Sequence, residues 1–309
     1  MKAIAVREIA GRLPVVRSAL RSTPKYHVGS LIENRLGLQV FRTLSKGFTR
    51  SLRQGRISSD IEPLVRVLER DGILVLPSFL EADRFTAIVD EFDAANSEAV
   101  LEPYQRAENA RLYRNQLKVT DSPELFPAIR SAFQQNELLS RIVSAVIRRR
   151  VTTAPEILLD TYQCTNPDGE DNDIENILHA DLHVPTIKMF FYLSRADESN
   201  GAFVYAKGSH RLTWARLMHE YEMSVRQAKL ARGLNVEQHL LERRSSLVRN
   251  IISPEHRRRM KIAESQACVE ANTLVIANNM GFHRRGEFNS TRPRKALLIN
   301  YRNAEPALW

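Results

Sequence analysis

Between residues 59 and 149 apolar positions recur every third or fourth residue, and from about 156 onward they recur in short runs at strand spacing. Ile61, Leu64, Val65 and Leu68 mark one face of a helix over about 59–71, opened by Ser59-Asp60-Ile61-Glu62 in the form of a capping box and closed by Gly72. Ile73-Leu74-Val75-Leu76, ended by Pro77, predicts a buried strand. Phe85, Ile88, Val89 and Phe92 predict a helix over about 82–98, and another covers about 123–149, where Arg148-Arg149-Arg150 suits a helix C-terminus. Strands follow at Glu156–Gln163, Thr186–Leu193, Ala202–Ala206, Cys268–Ala277 and Lys295–Tyr301, with turn signals at Asn200-Gly201 and Lys207-Gly208-Ser209-His210. Thr186–Leu193 is apolar on both faces apart from Lys188, as a strand enclosed on both sides would be. A charged helical insertion at about 212–262 interrupts the strands. The pattern predicts a mainly β fold with flanking helices, an α+β protein whose strands form a closed or sandwiched structure.

Composition changes this picture at one end. With 43% hydrophobic and 26% charged residues the chain suits a soluble globular fold, and no apolar run approaches the roughly 20 residues that a membrane-spanning helix needs. Residues 1–56 hold twelve Lys or Arg against Glu8 and Glu33, a balance of +10, which leaves −1 for the remainder of a chain whose total is +9. The chain therefore divides into a basic arm, 1–57, and a domain, 58–309. Three roles fit the arm: an Arg-rich targeting presequence, a peripheral membrane contact with anionic lipid, or a solvated extension packed on the body. Because the basicity lies outside the body, no specific nucleic-acid partner is expected. Cys164 and Cys268 form no Cys-x-x-Cys pair and read as reduced, buried thiols of a cytoplasmic protein.

The candidate chemistry centres on His179-Ala180-Asp181 within Ile177–His183. On a strand, residues two apart project from one face, so this imidazole and carboxylate converge. Two histidines and one carboxylate on one face of an octahedron suit non-haem Fe(II), and the pattern predicts a second histidine far downstream. His283, after Gly281-Phe282 and between two β-runs, is the candidate. A zinc or di-metal hydrolase is the rival enzyme, since His-x-Asp-x-His also suits zinc. The non-enzymatic rival is a β-barrel binding protein whose basic arm attaches to lipid or nucleic acid. No Gly-x-Gly-x-x-Gly or Walker sequence is present to bind nucleotide phosphates.

Five elements in order, Asp71–Pro77, His179–His183, Asn200-Gly201 with Gly208–Arg211, His283, and Arg292–Ala296, resemble the phytanoyl-CoA dioxygenase-like family of Fe(II)/2-oxoglutarate oxygenases over roughly 60–302. The resemblance implies a double-stranded β-helix, or jelly roll, with Fe(II) held by His179, Asp181 and His283 and with 2-oxoglutarate and O2 as cosubstrates. It implies an arginine for the distal carboxylate of 2-oxoglutarate. Arg294 and Arg292 both fit, and Arg294 is favoured because it opens the last strand with Ala296, Leu298 and Asn300 as alternation partners. Lys188, and Gln163 with Thr161 on one strand face, are further candidates for cosubstrate contact. His183 is not a ligand in the family. Related halogenases replace the carboxylate with a small residue, so Asp181 favours hydroxylation, of a C–H bond in a small-molecule or lipid-like substrate. Arg243, Arg244, Arg249, Arg257, Arg258, Arg259 and Lys261 in the insertion suggest a lid over an anionic or lipid-linked substrate.

Overall fold

The computed structural model describes residues 29–53, 57–97, 100–103, 111–166, 169, 174–232 and 250–301. Chain order opens with α1 (Leu31–Arg35), α2 (Leu38–Leu52), α3 (Glu62–Asp71), β1 (Ile73–Leu76), α4 (Ala82–Asn96), β2 (Glu102–Pro103), β3 (Leu112–Lys118), α5 (Glu137–Ile147) and β4 (Glu156–Cys164). It continues with β5 (His179–Ala180), β6 (Ile187–Tyr192), β7 (Phe203–Ala206), α6 (Trp214–Leu230), β8 (Asn250–Ile251), α7 (Pro254–Arg259), β9 (Glu264–Gln266), β10 (Thr273–Asn278), β11 (His283–Arg285) and β12 (Arg294–Asn300). Two antiparallel sheets form, a larger one ordered β1-β10-β6-β12-β4-β3-β2 and a smaller one ordered β8-β5-β11-β7-β9. This is the double-stranded β-helix with helices outside it.

The period of two sorts the large sheet into two faces. Ile157, Leu159, Met189, Phe191, Leu274, Ile276, Leu297 and Ile299 join Val65, Leu68, Ile88, Phe92, Leu139 and Val143 of the helices in the main core. Phe191 sits among the rings of Phe79, Phe85 and Phe133 at 5.0–6.1 Å. The opposite face contributes Tyr192, Val275, Ala277 and Ala296 to a second core shared with Phe203 and Tyr205 of the small sheet.

Several elements differ from the pattern read along the chain. The helix expected over 123–149 is broken into Pro127–Ile129, a π turn over Arg130–Gln134, and α5. The Glu91 carboxylate caps the first piece by accepting from the amides of Ala128 and Ile129, and Asn136 accepts from the Leu139 amide to start α5 afresh. The capping box at 59–62 does not form. α3 begins on Ile61 without a side-chain cap, and Asp60 instead pairs with Arg141 at 2.6 Å. A capping box does form at Ser30 and Glu33. β1 is an edge strand with Val75 exposed, and β3 has no counterpart in the predicted elements. Cys164 is buried as expected, whereas Cys268 is exposed.

The described part of the arm, α1 and α2, lies against α6 through polar groups. Gln39 donates to Glu220 at 3.3 Å, Arg42 donates to Gln39 at 2.9 Å, and Arg216 donates to Glu220 at 2.8 Å and to the Ser209 carbonyl at 2.7 Å. His219 meets Asn250 Oδ1 at 2.6 Å, and Asn250 donates to Glu220 at 3.4 Å. His210 donates from Nε2 to the Glu69 carbonyl at 3.1 Å, tying its loop to α3.

Burial, aided by nearby arginines, pushes the His219 imidazole down from 6.5 to about 3, and burial pushes His210 down to about 4. Between these values and 6.5 the folded protein binds fewer protons than the unfolded chain. Stability is therefore full above about pH 6.5 and declines as pH falls toward 4 and then 3, by at most about 1.4 kcal/mol per pH unit per histidine. Thermal melts between pH 7.5 and 4.5, values chosen to bracket roughly that window, should show a steeper loss for the native chain than for His219→Gln. Equal slopes would remove His219 from this account.

Candidate metal centre

β5 and β11 are neighbours in the small sheet, and their register sets His283 directly opposite His179. Paired residues on adjacent strands share a face, so the two imidazoles project together between the sheets, with ring centroids 4.8 Å apart. Asp181 follows just beyond β5. Its Oδ1 lies 3.6 Å from His179 Nε2 and its Oδ2 lies 3.5 Å from His283 Nε2. Candidate ligand atoms of the three residues all fall within 4.8 Å of one another, and among the described residues no other such group of His, Cys, Asp or Glu occurs.

Backbone carbonyls orient both rings. His179 Nδ1 meets the Ile177 carbonyl at 2.7 Å and His283 Nδ1 meets the Gly281 carbonyl at 2.9 Å. A carbonyl only accepts, so each Nδ1 carries the proton and each Nε2 presents a lone pair inward. Both Nε2 atoms are buried and have no hydrogen-bond partner. Two orphaned imidazole nitrogens beside a carboxylate are what a divalent metal would satisfy. Gly281 cannot be larger, because a Cβ there would lie 1.9 Å from the Tyr205 hydroxyl oxygen.

Electrostatics agree with that donor set. Burial works against charge on Asp181, but Lys188 and the two histidines outweigh it and hold the carboxyl well below the usual carboxylate range. Lys188 donates to Asp181 Oδ2 at 2.8 Å. Burial also lowers His283, overcoming the pull of Asp181, which favours the neutral, ligating imidazole. Phe203 packs 5.6 Å from the His283 ring and 4.8 Å from Phe190, walling one side with apolar groups.

The arginine candidates separate cleanly. Arg294 is buried on the interior face of β12, its Nη1 donates to the Gly201 carbonyl, and its guanidinium carbon lies 4.7 Å from the Tyr162 ring centroid. Its Nε is buried without a partner. Arg292 is half exposed and bonded to Asp197 and Ser199 on the outside. Thr161 and Gln163 do not join the site. Tyr162 is the residue registered opposite Arg294, so Thr161 and Gln163 alternate onto the helix-facing side with Leu159, and Asp160 and Tyr162 face inward in their place. His183 is buried but outside the ligand group.

Arg285 carries no signal beyond its spacing, two residues after His283, which places both on one face of β11. It is buried, with its guanidinium carbon 5.9 Å from the Tyr162 ring and 5.4 Å from Phe288. Arg114 lies 4.7 Å from Tyr162 and donates to Asp160 at 2.7 Å. Three guanidiniums thus gather round one ring, with Asp160 bridging Arg114 and, at 3.6 Å, Arg294. Glu175 Oε2, 3.8 Å from His179 Nε2, is a further carboxylate that no motif indicated.

The described part of the insertion packs through α6 on the outer core of the small sheet. Arg216 lies over the Phe282 ring at 4.5 Å and His219 packs edge-on to it at 5.2 Å, on the side where Leu178, Ala180 and Ile252 form the small sheet's outer core. Of its arginines, Arg257 pairs with Glu264 and Arg259 with Glu255, and Arg258 is exposed on α7. Arg243, Arg244 and Arg249 lie outside the described residues.

No curated protein matches the sequence. Among solved structures, the epimerase SnoN in complex with Fe3+, alpha-ketoglutarate and nogalamycin RO is similar in fold, at 10% identity and a TM-score of 0.50, over 78% of this chain and 83% of that chain. HygX from Streptomyces hygroscopicus, with nickel and 2-oxoglutarate bound, aligns at 14% identity and a TM-score of 0.47 over 77% and 85% of the two chains. Residues 68–296 match the profile of the phytanoyl-CoA dioxygenase (PhyH) family, a span that contains the three candidate ligands and the inward arginine. The chain belongs to the phytanoyl-CoA dioxygenase (PhyH) family.

Proposed function

We propose that the protein is an Fe(II)- and 2-oxoglutarate-dependent oxygenase that hydroxylates an unactivated C–H bond of a small or lipid-like substrate. The observation that carries this reading is the pair of orphaned, carbonyl-oriented Nε2 atoms facing Asp181. His179, Asp181 and His283 would hold the metal. When bound, Fe(II) with 2-oxoglutarate and O2 supplies the oxidising chemistry, with succinate and carbon dioxide as coproducts.

The chain's own part is binding and orientation. Lys188 holds one oxygen of Asp181 and keeps the carboxylate ionised, so its geometry is set before any ligand arrives. Arg294 would hold the distal carboxylate of 2-oxoglutarate, a planar fork matched to a planar anion, and Arg285 would add a second positive group at the same ring. Tyr162 and Phe288 back both guanidiniums and keep water from competing for them. Phe190 and Phe203 exclude water beside His283.

Anaerobic addition of Fe(II) and 2-oxoglutarate should give the weak visible band of a metal-bound 2-oxo acid, and aerobic incubation should release succinate. A substrate screen should then find one compound that gains a single oxygen. A protein that shows neither band nor succinate is not this enzyme. Arg294→Ala should weaken 2-oxoglutarate binding by about 10–100-fold, the worth of a charge-assisted fork, while the exposed Arg292→Ala should stay within about twofold. Titration of the visible band separates the two, and equal losses would reverse the assignment.

A further inference from the structure

α2 is turned inside out. Its polar residues Gln39, Arg42, Thr43 and Lys46 are buried against the body, while Phe41, Leu44, Phe48 and Leu52 form a stripe facing outward. Phe41 is 59% exposed, Phe48 64% and Leu52 67%. These positions follow the three-to-four residue spacing of one helical face, so the stripe is continuous. Leu212 adjoins it, since a Cβ on Gly47 would lie 3.0 Å from Leu212 Cδ1, and Trp214, 73% exposed at the start of α6, follows two residues later. The polar side is turned inward by Glu220, which bonds Gln39 and stabilises the charge on Arg42.

A contiguous apolar ridge with phenylalanines and a tryptophan is an interaction surface. Its charge setting selects the occupant. Residues 1–56 carry a balance of +10 while the remainder carries −1, so the ridge belongs to the one strongly basic part of the molecule. A second copy would bring two such segments together against their mutual repulsion. An anionic lipid surface satisfies both features: it takes the apolar side chains to the level of the acyl boundary and is attracted by the arm's excess of positive charge, with the exposed Arg35 near the start of the ridge while Arg42 and Lys46 stay buried against the body. We propose that Phe41, Leu44, Phe48, Leu52 and Trp214 dock the protein on membranes rich in anionic lipid. This inference stands apart from the oxygenase reading, because none of these residues belongs to the metal centre.

The test is co-sedimentation of the full-length protein with vesicles of phosphatidylcholine alone and of equimolar phosphatidylcholine and phosphatidylglycerol. Binding should favour the anionic vesicles and weaken with added salt. Phe41→Ser with Phe48→Ser should reduce the vesicle-bound partition by about tenfold or more, whereas Phe41→Leu with Phe48→Leu should retain it. In Trp309→Phe protein, which leaves Trp214 as the only tryptophan, fluorescence should shift to the blue on vesicle addition. Thermal melts identify any variant that has lost its fold. Absence of binding to either vesicle would overturn the proposal, as would undiminished binding by the folded double-serine variant. A concentration-dependent dimer in sedimentation velocity that the same substitutions dissolve would also overturn it.

Discussion

His283→Ala protein, reconstituted anaerobically with Fe(II) and 2-oxoglutarate, is expected to lose the visible band and to release succinate at less than a hundredth of the native rate. The loss should exceed the roughly 10–100-fold that removal of an outer-shell partner costs, because a ligand itself is gone. His179→Ala should behave alike, since its Nε2 occupies the equivalent place on the opposing strand. Asp181→Ala should differ in one respect. It strips the 2.8 Å partner from a largely buried Lys188, so the metal-free protein should also melt at a lower temperature, whereas the histidine variants should not share that loss. Metal content after dialysis and melts of the metal-free forms check both halves. A fully retained metal in any of the three would exclude that residue as a ligand.

Glu220→Leu is expected to destabilise the fold by about 3–5 kcal/mol, the cost of leaving buried charges without their counter-ion. Glu220 and Arg216 are fully buried and bonded at 2.8 Å. Arg42 is also fully buried, with burial pushing its guanidinium down to about 10 against the opposing pull of Glu220. For a domain of this size such a loss corresponds to a melting point lower by roughly 10 °C. The combined Arg42→Met, Arg216→Met, Glu220→Leu variant should recover much of it, because removing all the charges removes the desolvation problem as well. If the triple variant is as unstable as the single one, packing and not charge holds α2 to α6. The same network reaches toward the metal centre. Ser209 accepts from Arg216 through its carbonyl and from the Phe282 amide through its hydroxyl, one residue before His283.

The separation between legible and illegible features has a common cause. The one-residue spacing of His179 and Asp181 is local, and the order of strands and turns around it is carried by periodicity and by Gly and Pro. The helix-facing side of Thr161 and Gln163 is not legible along the chain, because β4 is buried on both sides over Ile157–Asp160 and such a run has no polar alternation to mark its interior. The broken helix at 123–149 depended on Glu91, a carboxylate from another helix that no local pattern includes.

Sequence alone determined that this protein combines antiparallel sheet with flanking helices in the PhyH family, with His179, Asp181 and His283 as its candidate ligands, because short-range spacing and element order are written in the chain. Tertiary structure alone set Arg294 and Arg292 in different surroundings, although they differ by two positions and would share a face if the strand began earlier. β12 begins at Arg294, so Arg294 turns inward beside Tyr162 while Arg292 stays in the preceding turn and pairs with Asp197. It alone placed Arg285 beside that arginine and turned the apolar face of α2 outward. The partners that settle these matters lie far away in the chain, as Glu220 lies 181 residues from Gln39, and burial and counter-charge are properties of the assembled fold.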